Sequence, residues 1–110
     1  MIRHGKKIQR LQDRILAHGD YRTQLEKACQ ELEELRHEVK NFLFMVSKPV
    51  TDAHLRIPCG NMQKEIEDAA NMIGQLRKMF NRTHDQRKRT RECKKQIVRQ
   101  MESFIKNRGM

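Results

Sequence analysis

The chain has 110 residues and a formal net charge of +10, with 35% charged residues, 36% hydrophobic residues and no tryptophan. This composition is too lean for a thick globular core and is typical of long, solvated helices. The sequence also contains no apolar run of the roughly 20 residues that are needed to cross a bilayer. We therefore expect one all-α domain over residues 1–110, without membrane insertion.

Cysteine usage bears on the compartment. The three cysteines, Cys29, Cys59 and Cys93, are odd in number, widely spaced and without a CxxC motif. This pattern argues against a disulfide framework and favours a reducing intracellular compartment, either cytoplasm or nucleus.

The first predicted helix covers about residues 4–47. Its seam positions, alternately four and three residues apart, are His4, Ile8, Leu11, Ile15, His18, Arg22, Leu25, Cys29, Leu32, Arg36, Val39, Leu43 and Val46. Gly19 interrupts this run at a cost of about 1 kcal/mol relative to alanine, and Asp20 is able to cap a new helix. Because the seam phase continues through Gly19, the pattern favours one bent helix over two.

A connector is expected over residues 48–61, which contain both prolines, Pro49 and Pro58. Asn61 is a suitable N-cap for a second helix over about residues 62–107, and acidic residues early in that helix suit its dipole.

A second position at which a helix could be interrupted lies at residues 81–86. We call this segment and Gly19-Asp20 the two soft points. Thr83 followed by Gln86 has the spacing of a capping box, which would start a new helix there.

The two helical runs align with each other in antiparallel order. The second seam reads Ile66, Ala69, Ile73, Leu76, Phe80, Thr83, Arg87, Thr90, Lys94, Ile97, Met101, Phe104 and Arg108. Facing residues, such as Val46 with Ile66 or Ile15 with Ile97, have numbers that sum to 112. The predicted fold is a long antiparallel, coiled-coil-like helical hairpin, completed by self-association or a partner helix. If both soft points break, the alternative is a compact bundle of four short helices.

Apolar residues beside the seam predict a partner-docking stripe. They are Ala28, Leu35 and Phe42 on the first helix and Met72, Met79, Val98 and Ile105 on the second. A helix face broader than a two-helix seam calls for a further helix to cover it. The alternative is ordinary amphipathic packing within the chain.

The middle of the aligned seam is cationic, with His18 and Arg22 opposite Arg87 and Lys94. Residues 77–95 hold nine Lys/Arg against two acids, whereas residues 20–38 hold six acids against three Lys/Arg. Such a belt attracts a phosphate or an acidic protein surface; the alternative is that the long side chains place their charged heads in water. The candidate anion-binding residues are His18, Arg22, Arg87, Lys88, Arg89, Arg91, Lys94 and Lys95.

Motifs for chemistry are missing from the sequence. There is no HExxH, no Gly-rich phosphate loop, no GxSxG and no His–Cys pair at ligand spacing. We therefore expect no catalytic residue, no metal site and no cofactor.

These patterns favour a non-enzymatic structural or adaptor subunit that docks on helical or acidic protein partners within a larger intracellular assembly, with a homodimer left open. One alternative is a basic, nucleic-acid-binding helical hairpin, which would bind phosphates without sequence preference. A second, resting on architecture alone, is a small chaperone or stalk component of a secretion system.

Overall fold

The computed structural model describes residues 4–49 and 51–110, and this part of the chain is all-helical without strands. It contains α1 (His4–Ala17), α2 (Tyr21–Val46), α3 (Asp52–Met79) and α4 (His84–Asn107). The all-α class is confirmed, and so is an antiparallel helical hairpin, which α2 and α3 form. Both soft points break, so the described chain has the four helices of the alternative arrangement.

The predicted continuity of the first helix through Gly19 is wrong. Gly19 adopts a φ of +71°, a left-handed conformation that glycine reaches without steric cost. Asp20 then caps α2, because its Oδ1 accepts a hydrogen bond from the backbone N–H of Thr23 at 3.3 Å. The hydrogen bond to the Asp20 side chain thus replaces an intrahelical backbone hydrogen bond that is lost where the helix is interrupted.

The connector is shorter than residues 48–61. The second helix of the hairpin starts at Asp52 and contains Pro58 and Gly60 within its length. Thr51 and His54 close its first turn through a contact of 3.0 Å between Thr51 Oγ1 and His54 Nδ1. The expected start near residue 62 is corrected by ten residues, because neither Pro58 nor Gly60 breaks the helix.

This shorter connector changes the register of the hairpin. Glu31 of α2 lies beside Glu65 and Asp68 of α3, with their carboxylate oxygens within 4.8 Å of one another. The numbers of Glu31 and Asp68 sum to 99 rather than the predicted 112. The register follows from the position of the turn, which lies between Val46 and Asp52.

The chain divides into two compact units, one ending at Arg77 and the other formed by Lys78–Met110. In the first unit, the buried residues come from all three helices. They are Leu16, Ala28, Ala69 and Met72, together with the polar Gln12, Gln24 and Gln75. The core is thin and partly polar, and no described side chain falls below 2% exposure.

The second unit holds the end of α3 and the whole of α4. The predicted continuity of the second helix over residues 62–107 is wrong, because α3 ends at Met79 and α4 begins at His84. The capping box of the alternative arrangement forms instead: Thr83 Oγ1 accepts from the Gln86 N–H at 3.1 Å, and Gln86 Oε1 accepts from the Thr83 N–H at 3.1 Å. Not one residue of α4 is buried.

Candidate docking surfaces

Most of the predicted heptad seam lies on the outside of the first unit. Ten of its apolar side chains have exposed fractions from 39%, at Ile73, to 63%, at Leu43. We call them the exposed seam: Ile8, Leu11, Ile15, Leu25, Leu32, Val39, Leu43, Val46, Ile66 and Ile73. Each of the three helices thus carries apolar surface that the chain itself leaves half uncovered.

The predicted docking stripe is divided between core and surface. Ala28, Met72 and Met79 are only 3%, 5% and 6% exposed, so the chain already covers them and they offer no surface to a partner. Leu35 and Phe42 are half-buried, whereas Val98 and Ile105 are exposed. The burial of Ala28, Met72 and Met79 corrects their assignment to the docking stripe. Docking itself stays a prediction.

The predicted anion-binding residues are all exposed. Three of them already have local partners. Arg22 pairs with Glu26 at 3.2 Å, and Arg89 pairs with Glu92 at 3.6 Å. Arg87 donates to the carbonyl oxygen of Arg82 at 2.8 Å. His18 and Arg22 belong to the first unit and the others to the second, so the cationic belt as a joint site stays a prediction.

The first unit carries an acidic cluster that the sequence did not predict: Glu31, Glu34, Glu65 and Asp68. The oxygens of Glu31, Glu65 and Asp68 lie within 4.8 Å of one another, and Glu34 adjoins Glu31. One oxygen each of Glu31 and Glu65 is buried without a hydrogen-bond partner among the described residues. Each pair, on α2 and on α3, has the i, i+3 spacing of one helix face, but only the observed register brings them together.

Electrostatic strain is evident in this cluster. Partial burial raises the pKa of the Glu31 carboxyl, and the neighbouring carboxylates raise it further. Lys64 supplies compensating charge: its Nζ lies 3.0 Å from Asp68 and 3.6 Å from Glu65. Carboxylates in this arrangement are hard-cation ligands, but here a lysine ammonium already occupies one side of the group.

A change of Glu31 to glutamine should raise the melting temperature at pH 7, because it removes a charge from this repulsive group. A carboxyl with a raised pKa stabilises the fold while protonated and loses that contribution as the pH rises above its ordinary value of 4.5. The advantage of the variant should therefore shrink as the pH falls toward 4.5 and be absent below that pH. Thermal unfolding at low protein concentration, followed by circular dichroism between pH 4 and 8, measures both effects. The control is Glu33→Gln, an exposed position outside the cluster, and equal effects at the two positions would contradict the expectation.

A groove of about 400 Å³ lies between α1 and α3. Its apolar wall is Ile8, Leu11 and Ile15, three members of the exposed seam, and Glu67 and Asp68 lie on the opposite side. Asp68 also belongs to the acidic cluster, so the groove and the cluster are continuous. We call the two together the acidic groove.

Polar contacts fix the base of this groove. Buried Gln12 donates from Nε2 to the carbonyl oxygen of Asn71 at 2.9 Å and to its Oδ1 at 3.0 Å. Gly74 leaves room for Gln12, because a Cβ there would lie 2.8 Å from Gln12 Nε2. Gln75 also lines the groove, and its buried Oε1 has no donor within the described part of the chain.

Helix α4 carries the opposite kind of surface. It has eight Lys/Arg against three acidic residues. Beyond the basic half, Ile97, Val98, Met101, Phe104 and Ile105 form a stripe of side chains 43–60% exposed. Arg108 covers part of it, since its guanidinium lies 4.8 Å from the centre of the Phe104 ring.

Comparison with protein-family models, with curated proteins and with solved structures finds no match for this chain. Within the described residues, no helix is long and apolar enough to cross a membrane.

Proposed function

We propose that this chain is a non-enzymatic structural or adaptor subunit, which docks on helical or acidic protein partners in a larger assembly. The exposed seam carries the proposal. Full burial of a Val, Leu or Ile side chain contributes about 1.5–3 kcal/mol, and ten such side chains in the first unit are still 39–63% exposed. Burial of these side chains against a partner would therefore contribute to binding.

The shape of the seam favours a helical partner. Its members on α2 recur at Leu25, Leu32, Val39 and Val46, a strict seven-residue period. A heptad stripe of this kind accepts the side chains of another helix between its own. An intracellular location, in a reducing compartment, remains part of the proposal.

Partner capture tests the seam with matched variants. Leu32→Ser with Val39→Ser removes two exposed apolar side chains; Glu33→Ser with Lys40→Ser changes the adjacent exposed positions at a similar helix-propensity cost and no net change in charge. Tagged protein introduced into the native cell should lose its co-purifying proteins at least tenfold with the seam variant and retain them with the control. Circular dichroism at 222 nm checks that both variants keep their helices. Equal recovery from both would refute docking through the seam.

Nucleic-acid binding remains a second candidate, favoured by the exposed basic run on α4. Arg87, Lys88, Arg91, Lys94 and Lys95 lie within three turns of one helix. Phosphate contacts of this kind weaken steeply with salt. Fluorescence anisotropy with a labelled 20-base-pair duplex, at 50 mM and then 150 mM salt, tests it, and lack of binding at 50 mM excludes it.

A further inference from the structure

Two surfaces of this chain carry opposite charges, and each of them also has an apolar part. The acidic groove presents carboxylates of α2 and α3, and two of its acidic residues, Glu67 and Asp68, line the groove together with the apolar wall of Ile8, Leu11 and Ile15. One face of α4 presents Arg87, Arg91 and Lys94, followed by an apolar stripe. Each surface thus combines a charged part with an apolar part, and the two charges are opposite in sign.

Helical spacing places the basic and apolar parts of α4 on one continuous face. Arg87, Arg91, Lys94, Val98 and Met101 are separated alternately by four and three residues, which keeps them on one side of a helix. Over this span the helix is about 20 Å long at a rise of 1.5 Å per residue. A single helix laid along the groove would therefore bring its cations to the carboxylates and its apolar side chains to the wall.

We propose that the α4 helix of a second copy of this chain binds in the acidic groove, and that two copies exchange these helices reciprocally. This inference rests on the proposed function, and it names the first helical partner of the exposed seam. A reciprocal exchange places the same two surfaces in contact twice, which closes a twofold dimer.

Charge complementarity selects a second copy over other occupants. The carboxylate oxygens of Glu31, Glu65 and Asp68 lie within 4.8 Å of one another, so an acidic helix is disfavoured there. The chain itself supplies a basic helix with no buried residue. Docking of that helix would neutralise the cluster and cover Ile8, Leu11 and Ile15, each of which is about 40% exposed. Opposite charges across such an interface also fix partner choice.

Charge exchange provides the main test. One variant reverses the groove through Glu34→Lys, Glu67→Lys and Asp68→Lys; the other reverses the helix through Arg87→Glu, Arg91→Glu and Lys94→Glu. In sedimentation at 50 mM salt the wild type should be a dimer, and each variant alone should dimerise at least tenfold more weakly. An equal mixture should regain a dimer, because both of its groove–helix contacts again join opposite charges. The control Glu33→Lys, adjacent to Glu34 but outside the cluster, should dimerise as the wild type does.

A second test uses the unmodified sequence, so it does not depend on how the variants fold. Equal amounts of unlabelled and isotopically labelled wild type are mixed and treated with a carbodiimide, which joins a lysine amine to a nearby carboxylate. Mass spectrometry should find Lys94 or Lys95 of one copy linked to Glu67 or Asp68 of the other. Links only within one copy would mean that α4 occupies its own groove, which overturns the proposal.

Other outcomes also overturn the proposed exchange of α4 helices. A wild type that remains monomeric at 100 µM and 50 mM salt, or a mixture of variants that stays monomeric, excludes the exchange. A monomer whose α4 binds the duplex instead assigns that helix to nucleic acid. If the chain is monomeric but seam-dependent capture of proteins persists, only the self-association fails. If it dimerises but captures nothing through the seam, the adaptor function fails.

Discussion

Replacement of Met72 by alanine should lower the free energy of unfolding by about 2–4 kcal/mol, the usual cost of truncating a buried methionine. Met72 is 5% exposed and lies in the thin core of the first unit, so little neighbouring structure is free to fill the cavity. The adjacent Ile73 is 39% exposed, and Ile73→Ala should cost about 1 kcal/mol or less, partly because alanine is the better helix former. Urea unfolding at low micromolar concentration, followed by circular dichroism, gives both values.

This pair of variants decides which stripe of α3 faces inward. The heptad pattern placed Ile73 in the intramolecular seam and Met72 on the outer docking stripe. The structure reverses these two roles. A larger loss at Ile73 than at Met72 would restore the register in which paired residue numbers sum to 112 and would contradict the observed packing.

Gly74→Ala should destabilise the first unit by about 1 kcal/mol, although alanine normally stabilises a helix interior by about that amount. The new Cβ would lie 2.8 Å from Gln12 Nε2, so the buried Gln12 side chain has to move away from Asn71. A lost hydrogen bond to a buried group costs about 1–3 kcal/mol, which exceeds the gain in helix propensity. Urea unfolding measures the balance.

Gly60 provides the matched control on the same helix. A Cβ at Gly60 meets nothing within 4 Å, so Gly60→Ala should stabilise the protein by about 0.5–1 kcal/mol. Addition of Gln12→Ala to Gly74→Ala should then remove the steric conflict, and the two changes should be strongly non-additive. If Gly74→Ala proves as stabilising as Gly60→Ala, α1 and α3 do not approach each other as described.

These predictions share a consequence for assembly. The core of the first unit contains few apolar side chains and three buried glutamines, whereas the exposed seam contains ten apolar side chains. Small helical units with such a core commonly gain stability from a partner. Stability and assembly are therefore expected to be linked, and apparent melting temperatures should rise with protein concentration.

Local signals in the sequence were sufficient for some of the structure. The seven-residue period predicts helices. Thr83 with Gln86 carried a signal for the start of α4, because a capping box depends only on residues three apart, but the pattern favoured one helix over residues 62–107. Gly19 with Asp20 also carried the signal for a break, but the continuous seam phase outweighed it. At Gly19 the left-handed backbone and the Asp20 cap decided the outcome.

The candidate surfaces depend on which stripe of α3 faces α2, and the apolar periodicity of the sequence does not specify this. Two stripes on α3, one through Met72 and the other through Ile73, are both apolar. A rotation of the helix about its own axis by the angle between adjacent residues exchanges one stripe for the other. Glu31 and Asp68 are 37 positions apart, so their proximity depends on where the hairpin turns. Pro58 and Gly60 suggested a turn near them, but the helix includes both.

By itself, the amino-acid sequence determined the all-α class and the concentration of positive charge on residues 77–95. These follow from side chains that act on neighbours within one or two turns. The tertiary structure decided which apolar stripe is buried, which is exposed and where the carboxylates meet. Its physical basis is the register of α2 against α3, which depends on where α2 ends, at Val46, and where α3 begins, at Asp52. A shift in that turn changes every pairing along the hairpin while it leaves the helical periodicity intact.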